Sequence, residues 1–372
     1  MAFIYCWFLY TVRNHWLSYI CKNQTYTSDL RLPDVTIVII VRNEEEHIQV
    51  CMNSILTNEI DSLKEIIVVN DHSEDRTVEL IKAFQDSRIT LLHLADFELL
   101  ETYPNKHKKA GLHYALSRCS TELVLTTDGD CIVFPNWIKS MLASYKSEES
   151  DTMTGPIHIS PSDSFLEYFQ EIEMMGTMAG TLAGIQSGKY QSANAANMLF
   201  RKQDYLEFLK SYQHKNASGD DVVFVQWQHN KGKKLSFSIG LETIVSTPPL
   251  ATLKEFYTQR LRWASKTTSY PSIGLTILMA VIFIFYISII LLPFLFIWNG
   301  NHYLLVLPCI FLTLKIIGDQ LLLSNVSQFF GSDYEFGLKT IALSLTHLGY
   351  LIGIGIAGLL IRKYTWKGRT VH

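Results

Sequence analysis

The sequence predicts an α/β protein, with an open, mostly parallel sheet carrying the chemistry and transmembrane helices behind it at the C-terminus. Three observations carry that prediction. Short β-branched runs alternate with helix-spaced segments between residues 35 and 127, which is the pattern of strands joined by crossover helices. Acidic residues follow directly on several of the predicted strands, where the ligands of such sheets bind. After Tyr270 the composition turns sharply apolar, and this segment accounts for the high hydrophobic and aromatic fractions of the chain, 48% and 12%.

The elements follow in order. Residues 1–12 (MAFIYCWFLYTV) are apolar and lead into Arg13, Asn14 and His15. The run is shorter than the ~20 residues a span needs and lacks a cleavage site of small residues. It is therefore read as an interfacial anchor or the remainder of a longer one, within an N-terminal segment 1–32. Residues 35–41 (VTIVIIV) suit a strand buried on both faces. Helical spacing follows over 43–56, then a strand at 65–69, a helix near 75–85, a weaker strand at 89–94, a helix over 106–118 and a strand over 122–127. Residues 165–182 carry a run of Phe, Tyr and Met at helical spacing and read either as a core helix or as one lying on a membrane surface. The catalytic domain is placed at 33–270.

The membrane region is placed at 271–361. Residues 272–298 and 340–361 carry no charge and are long enough to span, while 303–317 is interrupted by Pro308 and Lys315. The tail 362–372 carries Arg362, Lys363, Lys367 and Arg369, which places it in the cytoplasm by the positive-inside rule. A catalytic domain on the same side requires an even number of crossings. Two true spans are therefore expected, with 303–338 as the segment that does not cross.

The net charge of −3 and the lack of a basic stripe give no basis for nucleic-acid binding. The six cysteines form no CxxC pair, so they read as isolated thiols in a reducing compartment. No GxGxxG follows a strand, and no P-loop, GxSxG or HExxH is present.

Asp128 and Asp130 flank Gly129 directly after a predicted strand. Two carboxylates at this spacing can share one divalent cation of the Mg²⁺ or Mn²⁺ type, although Asp-Gly is also an ordinary turn pair. Asp71 ends the second strand, where a ligand contact or a helix cap is expected. Asp220 and Asp221 precede an apolar segment and read as a candidate general base or as helix N-terminal charge. Lys106, His107, Lys108 and Lys109 open a helix against the dipole preference, which an anionic ligand there would explain. Gln259, Arg260, Arg262 and Trp263 (QRLRW) combine guanidinium forks with a flat ring that can stack on a sugar, or anchor the chain at a membrane interface.

In their order, VTIVIIVRNEEEHI, VVNDHSEDRT, HKKAGLHYAL, TTDGD, SANAANMLFRK, GDDVVF, STPP and QRLRW make the chain resemble glycosyltransferase family 2, the inverting enzymes of GT-A fold. The resemblance covers roughly residues 33–270 and points to the membrane-bound branch of ceramide-type glucosyltransferases and processive polysaccharide synthases. It implies a Rossmann-like GT-A sheet and a nucleotide-sugar donor, by family habit a UDP-sugar. Asn43, Glu44, Asp71, Lys108, Asp128, Arg260 and Arg262 would then contact the donor. Asp128 and Asp130 would hold Mg²⁺ or Mn²⁺. Asp221 would be the catalytic base, with Asp220 where the family usually has Glu. Gln259 and Trp263 would meet the acceptor. The Trp366-Lys367-Gly368-Arg369 tail also resembles the cytosolic tail of lipid glucosyltransferases. The expected protein is integral to the cell membrane with a cytoplasmic catalytic domain and a lipid or lipid-linked acceptor. A processive polysaccharide synthase is the alternative, and a non-catalytic membrane scaffold the minor one.

Overall fold

The computed structural model describes residues 2–21, 31–103, 107–160, 164–211, 219–265, 272–332 and 334–361 with their side chains, and the backbone of 364–366 and 369–371. The chain divides into two compact units: a helical one of Met1–Lys22, Ser162–Tyr190 and Leu250–Arg362, and a sheet-bearing one of Asn23–Pro161, Gln191–Pro249 and Lys363–His372.

The helical unit opens with α1 (Ala2–Ile20), and the sheet unit with β1 (Val35–Val41), α2 (Ile48–Leu56), β2 (Leu63–Asn70), α3 (Thr77–Lys82), β3 (Ile89–His93), α4 (His107–Arg118) and β4 (Leu123–Asp128). β5 (Ile132–Val133), α5 (Trp137–Ser147), β6 (Thr152–Thr154) and β7 (Ile157–Ile159) follow. After α6 (Phe165–Ser187) of the helical unit, the sheet unit resumes with β8 (Met198–Arg201), α7 (Lys202–Ser211), α8 (Asp220–Asn230), β9 (Leu235–Phe237) and β10 (Val245–Thr247). The remaining helices are α9 (Leu253–Ala264), α10 (Ile273–Trp298), α11 (Val306–Phe330) and α12 (Leu338–Leu360). The terminal hairpin of β11 (Tyr364–Trp366) and β12 (Arg369–Val371) belongs to the sheet unit.

The main sheet has seven strands in the order β3-β2-β1-β4-β8-β6-β9. β3, β2, β1 and β4 run parallel, and β8 enters antiparallel to both β4 and β6. The run of β-branched residues in β1 forms the centre, with Val35, Ile37, Val38, Ile39 and Val41 all fully buried. Each such side chain is worth about 1.5–3 kcal/mol relative to its exposed state. Register then aligns the strand ends: Val41 pairs with Asn70, Asn70 with His93, and Ile40 with Asp128. The residues after these positions therefore leave the sheet at one edge, which is where the sequence placed its acidic motifs. The helix predicted from Asn43 starts only at Ile48, because Asn43 adopts a left-handed φ of 50°, a conformation no α-helix accommodates.

In the helical unit, α1 runs through Arg13 and His15 to Ile20, beyond the 12-residue apolar run. Tyr5, Leu9, Val12, Trp16 and Tyr19 form its buried face, at the three- and four-residue spacing of a packed helix stripe. Arg13 donates through Nε to Asn325 Oδ1 at 2.6 Å, so its charge does not end the helix. The aromatic segment at 165–182 is the core of α6, which packs against α1 and α11.

Among the described residues, three helices and not two are long and apolar enough to cross a membrane, α10, the His302–Phe330 segment and α12. The expected misfit at 303–338 is thus mostly a continuous helix. Pro308 sits in its first turn, where a missing N–H costs no intrahelical bond. Lys315 is fully buried and paired with Asp319 one turn on, with its ammonium 5.1 Å from the Tyr286 ring.

Candidate active site

The site at the sheet edge is organised by the start of α4. Three consecutive residues of that turn each reach a different carboxylate. His107 Nδ1 lies 3.2 Å from Asp71 Oδ1, Lys108 Nζ 2.6 Å from Asp128 Oδ1, and Lys109 Nζ 3.4 Å from Asp220 Oδ1. Successive helical residues diverge by about 100° around the axis, so one turn fans out to the end of β2, the end of β4 and the start of α8. The basic helix start that opposes the dipole is therefore matched by acidic partners. Lys106 lies outside the described residues.

Asp128 ends β4, and Gly129 lets the turn close. A Cβ on Gly129 would fall 2.8 Å from Val41 Cγ1 and 3.2 Å from Glu44 Cγ. Glu44 thus stands beside Asp128 and Asp130. The negative field of this turn registers on two neighbouring thiols. Burial pushes the Cys51 and Cys131 thiols well up, and the charges of Asp130 and Asp128 push them further, with Glu44 adding to the effect on Cys51. The carboxylates of Asp128 and Asp130 offer oxygen donors at the turn. That set fits a hard divalent cation such as Mg²⁺ or Mn²⁺, with Asp128 and Asp130 as the residues to hold it.

Gly219 precedes α8 with φ 87°, a conformation open to glycine at little cost. It turns Asp220 and Asp221 into the first helical turn, where the dipole favours them. The two carboxylates then differ. Asp220 is 12% exposed and pairs with Lys109, which is 5% exposed. Asp221 is partly exposed and accepts backbone N–H bonds from Ala195 at 3.1 Å and Val222 at 2.9 Å. Beneath them the Tyr205 phenol is driven up by burial and then by both carboxylates.

The segment SANAANMLFRK supplies the link to the sheet. Asn194 Oδ1 accepts from Ala196 N at 3.0 Å and caps a 3-10 turn at Ala195–Asn197. Ala195 donates to Asp221, and its carbonyl accepts from Thr126 Oγ1 at 2.6 Å, two residues before Asp128. Asn197 is fully buried, accepts from Trp137 Nε1 at 3.1 Å and donates to the carbonyls of Pro156 and Thr243. Every one of those bonds satisfies a group that would be costly to bury alone.

The first loop is knitted to the second. Asn43 N donates to Ser73 Oγ at 3.1 Å, Asn43 Oδ1 accepts from Glu74 N at 2.9 Å, and Glu44 N donates to Thr77 Oγ1 at 2.8 Å. Asn43 therefore shapes the loop with its own amide. Asp71 is 2% exposed at the side chain, and its N–H is held by the carbonyl of Val41 at 2.8 Å.

QRLRW lies in α9, in the helical unit. Arg260 is 1% exposed and its fork is taken by Glu173 and by its neighbour Gln259. Its guanidinium carbon lies 4.2 Å from the Trp263 ring centroid and 4.7 Å from that of Phe256. Glu173 also accepts from Tyr350 Oη at 3.0 Å. Arg260 is thus held within the helical unit by Glu173, whose side chain is 13% exposed. Arg262, Gln259 and Trp263 remain partly exposed.

The sheet unit thus gathers Asp71, Lys108, Asp128, Asp130, Asp220 and Asp221. Sequence reasoning grouped Lys109 with its basic neighbours and did not single out Asn197 or Glu173; the partners of all three lie far along the chain.

The comparisons with known proteins agree with this arrangement. Residues 36–205 match the family model for Glycosyl transferase family 2. The poly-beta-1,6-N-acetyl-D-glucosamine synthase of Staphylococcus aureus (strain COL) is 26% identical over 237 residues, covering 63% of this chain and 54% of that protein. The glycosyltransferase AglE of Haloferax volcanii is 24% identical over 213 residues, 56% of this chain and 65% of that one. The chain spans about half the length of the synthase relatives it matches. Among solved structures, the mannosyltransferase PcManGT of Pyrobaculum calidifontis, in complex with GDP-Man and Mn2+, superposes with a TM-score of 0.53 at 15% identity, covering 96% of this chain and 93% of that one. Residues 36–205 therefore form a domain that matches the Glycosyl transferase family 2 model, built on a mixed, mostly parallel sheet of GT-A fold.

Proposed function

We propose that the protein transfers a sugar from a nucleotide-sugar, by family habit a UDP-sugar, to a lipid or lipid-linked acceptor at the cytoplasmic face of the cell membrane. The observation that carries the reading is the fan at α4, which joins Asp71, Asp128 and Asp220, the neighbour of Asp221, through consecutive residues.

In this reading Asp71 and the Asn43–Glu44 loop receive the nucleoside. Asp128 and Asp130 hold Mg²⁺ or Mn²⁺, which supplies positive charge to the departing diphosphate. Lys108 adds charge to the same region, and Arg260 and Arg262 of the QRLRW motif are assigned the same role. Asp221 is the base. Its carboxylate is partly exposed and held by backbone N–H groups, which suits a group that meets substrate, whereas Asp220 pairs with Lys109 and positions the turn. As the acceptor hydroxyl oxygen bonds the anomeric carbon, its proton passes to Asp221. The bond from that carbon to the diphosphate oxygen breaks, and the nucleoside diphosphate leaves. A single displacement inverts the anomeric centre, and general-base help of this kind contributes about 10²–10⁴-fold. Gln259 and Trp263 are assigned to the acceptor.

The terminal hairpin belongs to the sheet unit, which favours an even number of crossings. One of the three apolar helices then does not cross completely. The lipid acceptor is favoured by the polar groups inside the helical unit. Lys315, Asp319, Tyr5, Tyr286 and Ser344 bond one another, which leaves them poorly suited to line an open sugar path. A processive synthase is the second reading, favoured by the likeness to the poly-N-acetylglucosamine synthase.

Incubating membranes with labelled UDP- and GDP-sugars and Mg²⁺ or Mn²⁺ tests the reading. Label in the organic extract with one sugar added is the expected result. Label in an insoluble polymer establishes the second reading in its place.

A further inference from the structure

Besides the carboxylate turn at Asp128 and Asp130, the sheet edge holds a second cluster of different chemistry. Asp71 Oδ1 lies 3.0 Å from His72 Nδ1 and 3.2 Å from His107 Nδ1, and one ligand atom from each of the three residues lies within 4.8 Å of the other two. A tetrahedral ion bound at about 2.0–2.1 Å sets its ligand atoms roughly 3.3–3.4 Å apart, close to the two edges measured. Two imidazole nitrogens and one carboxylate oxygen form a donor set that suits zinc-class ions better than Mg²⁺.

The backbone is arranged for this contact. Side chains of successive residues in an extended strand point to opposite faces. His72 instead adopts φ 56°, which folds its ring back onto the carboxylate of its own neighbour. Arg42 fixes that turn by donating to the carbonyls of Asp71 at 3.0 Å and His72 at 3.3 Å. The Asp71 side chain is 2% exposed, while His72 and His107 are 39% and 27% exposed. The cluster is therefore anchored on its inner side and open on its outer side, where an ion enters and a fourth ligand completes the shell.

We propose that Asp71, His72 and His107 bind a zinc-class divalent cation, separate from the Mg²⁺- or Mn²⁺-type ion at Asp128 and Asp130. If Asp71 receives the nucleobase, as proposed above, this cation and the donor compete for one carboxylate, and zinc regulates donor binding.

The test uses the full chain in detergent at pH 7.5 with excess Mg²⁺, titrated with Co²⁺ as a spectroscopic probe and then with Zn²⁺. The expected result is one Co²⁺ per chain with the intense visible absorption of a tetrahedral site, displaced by Zn²⁺. Loss of a ligand costs more than the 10–100-fold typical of outer-shell partners, so His107→Ala weakens Co²⁺ binding by at least about 100-fold, while Asp130→Asn leaves it intact. His72→Asn, whose side chain also tolerates the left-handed backbone, gives the same loss should His107→Ala fail to fold. No tetrahedral band, or unchanged Co²⁺ affinity in both histidine variants, overturns the proposal and leaves the donor reading standing. UDP affinity read with and without Zn²⁺ separates the two ideas. A drop with Zn²⁺ supports both, whereas Co²⁺ binding with unaltered UDP affinity keeps the metal site and removes Asp71 from the base contact.

Discussion

The two units of the molecule handle charge differently: the sheet unit holds exposed pairs beside a buried one, Lys109 with Asp220, whereas the pairs described in the helical unit are buried. In the sheet unit, Lys108 and Asp128 pair while remaining 39% and 35% exposed, and Asp221 stays partly open to solvent. In the helical unit, Arg260 with Glu173 and Lys315 with Asp319 are buried to 13% exposure or less. Exposed pairs are weak and exchange partners readily, as groups that meet substrate must. Buried pairs are held by the cost of separating them, since each charge has no water to return to. The same residue types thus stay partly open to solvent in one unit and fix helix packing in the other.

The largest expected effect tests the first half of this contrast. Asp221→Asn keeps the shape of the side chain and removes its basicity, so transfer falls about 10²–10⁴-fold with little change in Tm. Asp220→Asn reverses the balance. It strands the buried Lys109 ammonium, so Tm falls along with activity. Initial rates with Mn²⁺ and thermal unfolding of the same preparations check both. If Asp220→Asn alone abolishes transfer with Tm intact, the roles of the two carboxylates are exchanged.

The second half is tested in α6. Glu173→Ala leaves the Arg260 guanidinium buried without its carboxylate, an arrangement that costs about 3–5 kcal/mol. The double variant Glu173→Met with Arg260→Met removes both charges and recovers most of that loss. Thermal unfolding in detergent measures both variants. If the single variant unfolds like the parent, the buried pair is not a packing element.

This contrast also marks what the sequence reveals. Period and composition identify β1, β2 and β4 as strands, because each carries a short apolar run (35–41, 66–69 and 123–125) that the sheet buries almost entirely. Asp71 and Asp128 stand out because register makes the ends of β2 and β4 equivalent, whereas Asp220 and Asp221 stand at the start of α8. Lys109 looks like any solvated lysine of a basic run, since its partner Asp220 is brought to it only by the fold. Lys315 and Pro308 look like interruptions of a span for a related reason: a charge or a proline is judged locally, while Asp319 and the position within the helix decide its cost. Arg260 belongs to a motif that suggests ligand binding, and only Glu173, distant in the chain, shows where its fork is held.

The smallest effect expected comes from a pair that neither unit's logic requires. Arg88 donates through Nη2 to Asp86 Oδ2 at 2.7 Å and through Nε to Oδ1 at 3.0 Å, in the turn before β3. These bonds hold the Asp86 carboxyl down to about 2, against about 3.9 in an unfolded chain. A depressed folded-state value means that the stabilisation is complete above about pH 4 and is lost as the pH falls toward about 2. The pair is partly exposed, with side chains at 24% and 31%, so its worth is the about 0.2–1 kcal/mol of a surface ion pair. Asp86→Asn therefore lowers stability slightly at pH 7 and not at all near pH 2. Unfolding curves for the parent and variant converge as the pH drops through that window. A gap that stays constant with pH means that the carboxyl contributes by packing alone.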